Sequence, residues 1–172
     1  MDLPKNKYYF SQDGVLYGMG KTAKVLTRYP PGRQARSYRV MEGTSRIDSY
    51  GFSQCKNLQE IHIPDSVTSI SFEAFNRRDS LTELTLPPQL HDLDYYVFSD
   101  CVNLRTVHLP DSFTRMRQAF IDCPSLTTIR LPDQLSLYGF EDAFKRRGSL
   151  KNILVSENSK NFSSWDGVLY NK

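Results

Sequence analysis

Short apolar–polar alternations recur along this chain at a nearly constant interval, each closed by a turn-forming residue. In "LQEIHIP" (58–64) and "LRTVHLP" (104–110) the last apolar residues alternate with polar ones and a proline follows. Such a run predicts a short strand with one face buried, ended where proline cannot donate the next ladder hydrogen bond. Three and six residues past the proline comes a second apolar pair: Val67/Ile70, Leu90/Leu93, Phe113/Met116 and Leu135/Tyr138. These predict a second extended segment on another side. The stretches "FEAF", "YYVF", "RQAF" and "EDAF" predict short helical turns, each with its last ring pointing inward.

The interval itself is the strongest signal. Phe52, Phe75, Phe98, Phe120 and Phe144 are separated by 23, 23, 22 and 24 residues. Six residues after each stands Leu58, Leu81, Leu104, Leu126 or Leu150, and nine after stands Ile61, Leu84, Val107, Ile129 or Ile153. Ile63, Leu86, Leu109, Leu131 and Val155 follow at eleven. A unit this short cannot bury its apolar side alone, whereas stacked units share one continuous core. The expected fold is an α/β solenoid of right-handed stacked coils, with short parallel strands and short helical turns.

One five-residue sequence, Asp-Gly-Val-Leu-Tyr, occurs at 13–17 and again at 166–170. Asp-Gly between "YYF" and "VLY" predicts a tight hairpin. A second hairpin is expected between "VLY" and "VLTRYP", closed by Pro30-Pro31-Gly32. Residues 38–52 fit the second half of a coil, with Val40 at the strand end, Met41 in place of proline and Ile47 at the second apolar site. The expected organisation is one domain: a β-hairpin insert or cap at 1–37, coils of about 23 residues at 38–155, and a truncated second hairpin at 156–172.

The registers quoted above, as in "AFIDCPSLTTIRLP" (119–132), resemble the leucine-rich repeats of the BspA-like class of bacterial surface and secreted proteins. The resemblance implies a leucine-rich-repeat solenoid punctuated by "DGVLY" hairpins, each followed by new coils. It therefore suggests a segment of a longer array, or a short form with a truncated final hairpin. It also implies an adhesive, host-interacting role at the cell surface or outside the cell. The start, "MDLPKNKYYF", shows no secretory h-region, so a leader has been removed or the protein stays inside. One departure is that Ser66, Gln89, Ser112 and Gln134 stand where the commonest pattern places asparagine. The expectation is that proline geometry holds that turn instead of an asparagine ladder.

Charge narrows the partner classes. A net charge of +3 with acids and bases interspersed is unlike a nucleic-acid binder. No run of 18 apolar residues is present, so no membrane span is expected. Cys55, Cys101 and Cys123 share one register position. Cys55 and Cys101 would lie roughly 10 Å apart on strands spaced ~4.8 Å, beyond disulfide reach. Cys101 and Cys123 occupy adjacent coils, within reach of a disulfide or a weak metal site; the simpler reading makes all three small core residues. His62 and His108 are too far apart to share zinc. No catalytic constellation, metal site or cofactor site is expected, and so no enzyme. Trp165 is expected to pack across its hairpin, and "RR" (77–78) and "KRR" (145–147) to be solvated faces.

What remains is the outward side of the strand row. The positions eight and ten after each phenylalanine are Glu60/His62, Glu83/Thr85, Thr106/His108 and Thr128/Arg130, then Asn152/Leu154. This row runs from acidic to basic, and repeat solenoids build extended binding surfaces from such rows. The leading expectation is a protein-binding module that uses these residues, its partner a host matrix or cell-surface protein. A glycan-binding module is an alternative, with Tyr8, Tyr17, Tyr29 and Tyr38 as its candidate aromatic group. A passive spacer is a second.

Overall fold

The computed structural model describes residues 8–20, 22–136, 143 and 150–172. Tyr138, Phe144, Arg147 and the basic run 145–147 lie outside them. Thirteen short strands are described; nine form two rows along a stack of coils and four form two hairpins. The first row holds β4 (Ser37–Arg39), β6 (Glu60–His62), β8 (Glu83–Thr85), β9 (Thr106–His108), β10 (Thr128–Leu131) and β11 (Asn152–Val155). β4 pairs with β6, β8 with β9 and β10 with β11, all parallel and one coil apart in register. The second row starts with β3 (Lys24–Arg28), which pairs in parallel with β5 (Thr44–Ile47); β5 pairs in turn with β7 (Ser69–Ile70). A single parallel bridge, Asp92 to Arg115, continues it.

Between the rows runs a spine of rings. Phe52, Phe75, Phe98 and Phe120 stack with centroids 5.3, 5.3 and 5.2 Å apart. Tyr29 extends the spine, 5.5 Å from Phe52. It lies 23 residues upstream of Phe52, and its N–H donates to the Gly51 carbonyl as the Phe52 N–H donates to Ala74. The phenylalanine register thus reaches back into the segment before residue 38. The apolar positions of the period (Leu58, Leu81, Leu104, Leu84, Val107, Ile129) and the second pairs Val67/Ile70, Leu90/Leu93 and Phe113/Met116 are buried in one core.

The expected helical turns at 72–75, 95–98 and 117–120 are not helical; the one at 141–144 lies, apart from Ala143, outside the described residues. Residues 72–77, 95–100 and 117–122 are linked turns. Alternate N–H groups bond to the next coil (Phe75 donates to Val97, Arg77 to Ser99, Phe98 to Ala119), while those between, such as Ala74, Asn76 and Ser99, close tight turns onto Ser71, Glu73 and Tyr96. Left-handed residues also stand two after each ring, at Gln54, Arg77, Asp100 and Asp122, with φ between 54° and 61°. A helix cannot propagate through such a residue. The α/β expectation therefore gives way to a leucine-rich-repeat β-solenoid.

Both Asp-Gly turns carry positive φ at both residues (49° and 73°, then 48° and 77°), which is the hairpin geometry that this dipeptide favours. β1 (Tyr8–Gln12) and β2 (Val15–Met19) form the first hairpin, β12 (Phe162–Trp165) and β13 (Val168–Asn171) the second. β2 also pairs antiparallel with β3, as expected, but the connection is 20–23. Pro30-Pro31-Gly32 lies beyond β3 and turns the chain into the next coil, with Arg33 N–H donating to Pro30.

Candidate binding face

The row of strands presents its alternate residues to solvent because their neighbours are core. Ile61, Leu84, Val107 and Ile129 point inward, so Glu60, His62, Glu83, Thr85, His108 and Arg130 are exposed and Thr106 and Thr128 half-buried. Register brings Glu83 opposite Thr106 and Thr85 opposite His108. Glu83 Oε1 lies 2.8 Å from His108 Nε2, an ion pair when the imidazole is protonated and an exposed one, which gives it little weight in stability. Asn152 Nδ2 donates to Thr128 Oγ1 at 3.5 Å. Beside Arg130 an open cleft of about 400 Å³ is lined by Leu109, Asp111, Asp133 and Gln134.

The coils beneath this face are fastened by side chains that repeat with the period. One residue before each register leucine, Asn57 donates to Arg33, Ser80 to Lys56, Asn103 to Asp79 at 2.7 Å and Ser125 to Val102 at 2.7 Å, always to a carbonyl of the preceding coil. Ser66 and Ser112 add bonds to Thr44 and Leu90, and the carbonyls of Pro64, Pro87, Pro110 and Pro132 accept the following turn bond. A polar ladder therefore exists, shifted from the position where asparagine is usual. Its signal was in the chain as Asn/Ser/Asn/Ser at one register.

The profile of the BspA type leucine rich repeat region matches six copies over residues 45–165. The chain belongs to this leucine-rich-repeat family. Its fold is shared with a leucine rich cell surface protein from Faecalibacterium prausnitzii, at TM-score 0.80 and 29% identity, over 87% of this chain and 40% of that one. It is also similar to the pneumococcal vaccine antigen PcpA (TM-score 0.73, 18% identity, 98% of this chain and 55% of that one). The T. pallidum leucine rich repeat protein shares the fold at TM-score 0.61 and 19% identity, over 90% of this chain and 82% of that one. No curated protein sequence matches the chain. The chain spans less than half the length of the F. prausnitzii protein.

Cys55, Cys101 and Cys123 are free and buried, as the small-core-residue reading expected, and Cys101 and Cys123 form no disulfide. Each thiol instead points at the carbonyl of the ring residue one coil back: Cys101 to Phe75 at 3.1 Å, Cys123 to Phe98 at 3.0 Å, Cys55 to Tyr29 at 3.9 Å. Burial pushes the Cys101 thiol up to about 12 and raises Cys123 and Cys55 as well. Arg78, expected on a solvated face, is fully buried in this same register; burial lowers its pKa. Its Nη2 donates to the Leu58 carbonyl, while Nε and Nη1 have no partner.

Three of the proposed tyrosines, Tyr17, Tyr29 and Tyr38, do meet, through a 2.7 Å hydroxyl contact and rings 5.0 Å apart, but as core packing rather than an open aromatic face. Tyr17 and Tyr29 are buried and Tyr38 is half-buried; only Tyr8 is open. A different aromatic row lies on the turn side, where Tyr50, Phe72 and Tyr96 meet edge to face at 5.7 Å spacing and Tyr95 carries the Arg117 guanidinium at 5.1 Å. Its residues shift by one position between coils, which hid them from a fixed register. Trp165 stands 78% exposed and does not pack across its hairpin. Among the described residues, no group of three metal-ligating side chains converges and no helix is long and apolar enough to cross a membrane.

Proposed function

We propose that this chain is a non-enzymatic protein-binding module whose contact surface is the outward side of the strand row. The coils of 38–155 carry that surface, and the segments 1–37 and 156–172 cap them. The observation that supports the reading is the placement of Glu60, His62, Glu83, Thr85, Thr106, His108, Thr128 and Arg130 in two outward columns over a continuous core, all exposed but the half-buried Thr106 and Thr128. Such columns give a partner a polar surface with fixed spacing, acidic at β6 and β8 and basic at β10. Electrostatic complementarity of this kind sets orientation and specificity more than raw affinity. The cleft beside Arg130, which also carries the Asp111 and Asp133 carboxylates, supplies a concave polar anchor point of mixed charge.

A place outside the cell and a host matrix or cell-surface partner are the readings that fit best, supported by the surface location named for the F. prausnitzii relative. The test is a binding comparison on immobilised matrix proteins between the native chain and a triple variant, Glu60→Lys, Glu83→Lys and Arg130→Glu. Saturable binding that the variant loses supports the strand face. Binding equal in both proteins removes it. The aromatic row Tyr50, Phe72, Tyr95 and Tyr96, with Tyr50 and Tyr95 exposed, favours a second reading, stacking of sugar rings, which a glycan array with Tyr95→Ala checks.

A further inference from the structure

A further column of residues runs beside the strand face, one position ahead of it. Seven residues after each ring of the period, counted from Tyr29, stand Arg36, Gln59, Thr82, Arg105, Thr127 and Lys151. Backbone bonds hold this column in register with the strand row. Gln59 N–H donates to the Arg36 carbonyl at 2.7 Å, Arg105 N–H to Thr82 at 2.8 Å and Lys151 N–H to Thr127 at 2.8 Å. All six are exposed except the half-buried Thr127. Counting from Tyr29 also adds Arg39, ten residues on and exposed on β4, to the column of His62 and Arg130.

The cations of this strip differ from the arginines elsewhere on the stack. Arg46, Arg77, Arg115 and Arg117 each pair with an aspartate, at 2.7 to 3.6 Å. Among the described residues, no carboxylate pairs with Arg36, Arg39, Arg105, Arg130 or Lys151. Glu60 and Glu83 are the acids of the strip, and Glu83 is already held by His108. Arg105, Arg130 and Lys151 stand on three successive coils, which strand spacing sets about 4.8 Å apart. Asp65, Asp111 and Asp133, each directly after a proline, border the strip on its far side.

We propose that this strip binds a linear sulfated polysaccharide lying along the stack, with Arg36, Arg39, Arg105, Arg130 and Lys151 on its anionic groups. Four of these cations are arginine, whose planar fork meets a sulfate or carboxylate with two parallel hydrogen bonds and sheds water more readily than an ammonium. A guanidinium without an internal ion pair gives up no partner when the ligand arrives. The cations recur along the axis of the coils, which suits a polymer charged along its length better than a single ion. The aspartate border repels that polymer and confines it to the strip. Single-stranded nucleic acid fits less well, because its bases need stacking rings. Of phenylalanine, tyrosine and tryptophan, the strip offers the half-buried Tyr38 alone. The inference shares the strand face with the protein-binding reading but does not rest on it, since Arg36, Arg39, Arg105 and Lys151 lie outside the residues that reading uses.

The probe is heparin, compared with its desulfated form and with neutral dextran in titrations across a salt series. The native chain is expected to bind heparin with strong salt dependence, the desulfated form more weakly and dextran not at all. Arg36→Gln, Arg105→Gln and Lys151→Gln in one chain should weaken heparin binding about tenfold, as three exposed contacts each worth about twofold to threefold. The same variant should also show a shallower salt dependence. A control with the same loss of charge, Arg46→Gln, Arg77→Gln and Arg115→Gln, should bind heparin like the native chain. Unfolding curves matching the native one show that both variants are folded. A native chain that does not bind heparin at low salt overturns the proposal. So does a control weakened as much as the strip variant, because net charge alone then sets the affinity. Single-stranded DNA that displaces heparin at equal charge overturns it too, assigning the strip to nucleic acid. Both variants keep all eight strand-face residues, so each of these failures leaves the protein-binding reading standing.

Discussion

Replacing Arg78 with methionine should make the protein more stable. Arg78 is fully buried in the column otherwise occupied by cysteine, with Nη2 on the Leu58 carbonyl and two further nitrogens unpartnered. Its neighbours are the Cys55 and Cys101 thiols, which burial keeps protonated at neutral pH, so no anion balances the guanidinium. Each unsatisfied buried donor costs about 1–3 kcal/mol, and losing the bond to Leu58 costs a similar amount once. Methionine fills a comparable length with apolar atoms. The net gain is about 1–3 kcal/mol, in line with the gains of about 1–4 kcal/mol seen when buried ions give way to packed apolar residues. At about 2–4 °C per kcal/mol for a chain of this size, the Tm should rise by about 2–12 °C. Thermal and urea unfolding of Arg78→Met against the native chain provide the assay. A loss of more than about 1 kcal/mol would refute the reasoning, because it would mean the guanidinium is held by partners worth more than its desolvation costs.

The three thiols should resist alkylation in the folded protein and react fully in denaturant, as mass spectrometry of labelled chains can show. The folded Cys101 thiol holds its proton to about 12 against an ordinary 9.0, so the folded state binds more protons than the unfolded one between these values. Stability is therefore full below about pH 9 and falls as pH rises toward 12, and Cys101→Ala should flatten that fall in urea titrations repeated across pH. Asn103→Ala removes one rung of the polar ladder and should cost about 1 kcal/mol in the same assay, against almost nothing for Val102→Ala at the exposed neighbouring position. Gly167→Ala should destabilise far more than Gly14→Ala. Both have positive φ, but only at Gly167 would a Cβ meet Asn152 Oδ1 at 2.5 Å and the Lys151 carbonyl at 2.9 Å.

The period made the core legible, because burial is the property that repeats. Leucine at six, the apolar pair at nine and eleven, and the second pair past proline all report the same inward direction, and each lies where a 23-residue spacing places it. Tyr29 is not legible as a member of the ring spine, because tyrosine replaces phenylalanine and a Pro-Pro pair follows it. The turn segments misled for a different reason. "FEAF" and "YYVF" have helical composition, but alternate backbone donors go to the next coil and Arg77 and Asp100 adopt left-handed φ without glycine to announce it. Arg78 was unreadable in sequence, since arginine beside Arg77 looks like surface charge and only the stack shows that the two side chains face opposite ways. The strand face was legible as a set of positions. Alternation tells which residues point outward, but the Glu83–His108 contact depends on which coil lies next to which.

The proposed contact through the strand row is open to a direct test. The most direct measurement is amide hydrogen–deuterium exchange of the chain with and without a matrix protein identified by saturable binding. The account predicts slowed exchange concentrated at 60–62, 83–85, 106–108 and 128–131, with the turns around Tyr50, Phe72 and Tyr96 unchanged. Protection confined to those turns or to the hairpins, with the strand row unaltered, would contradict it.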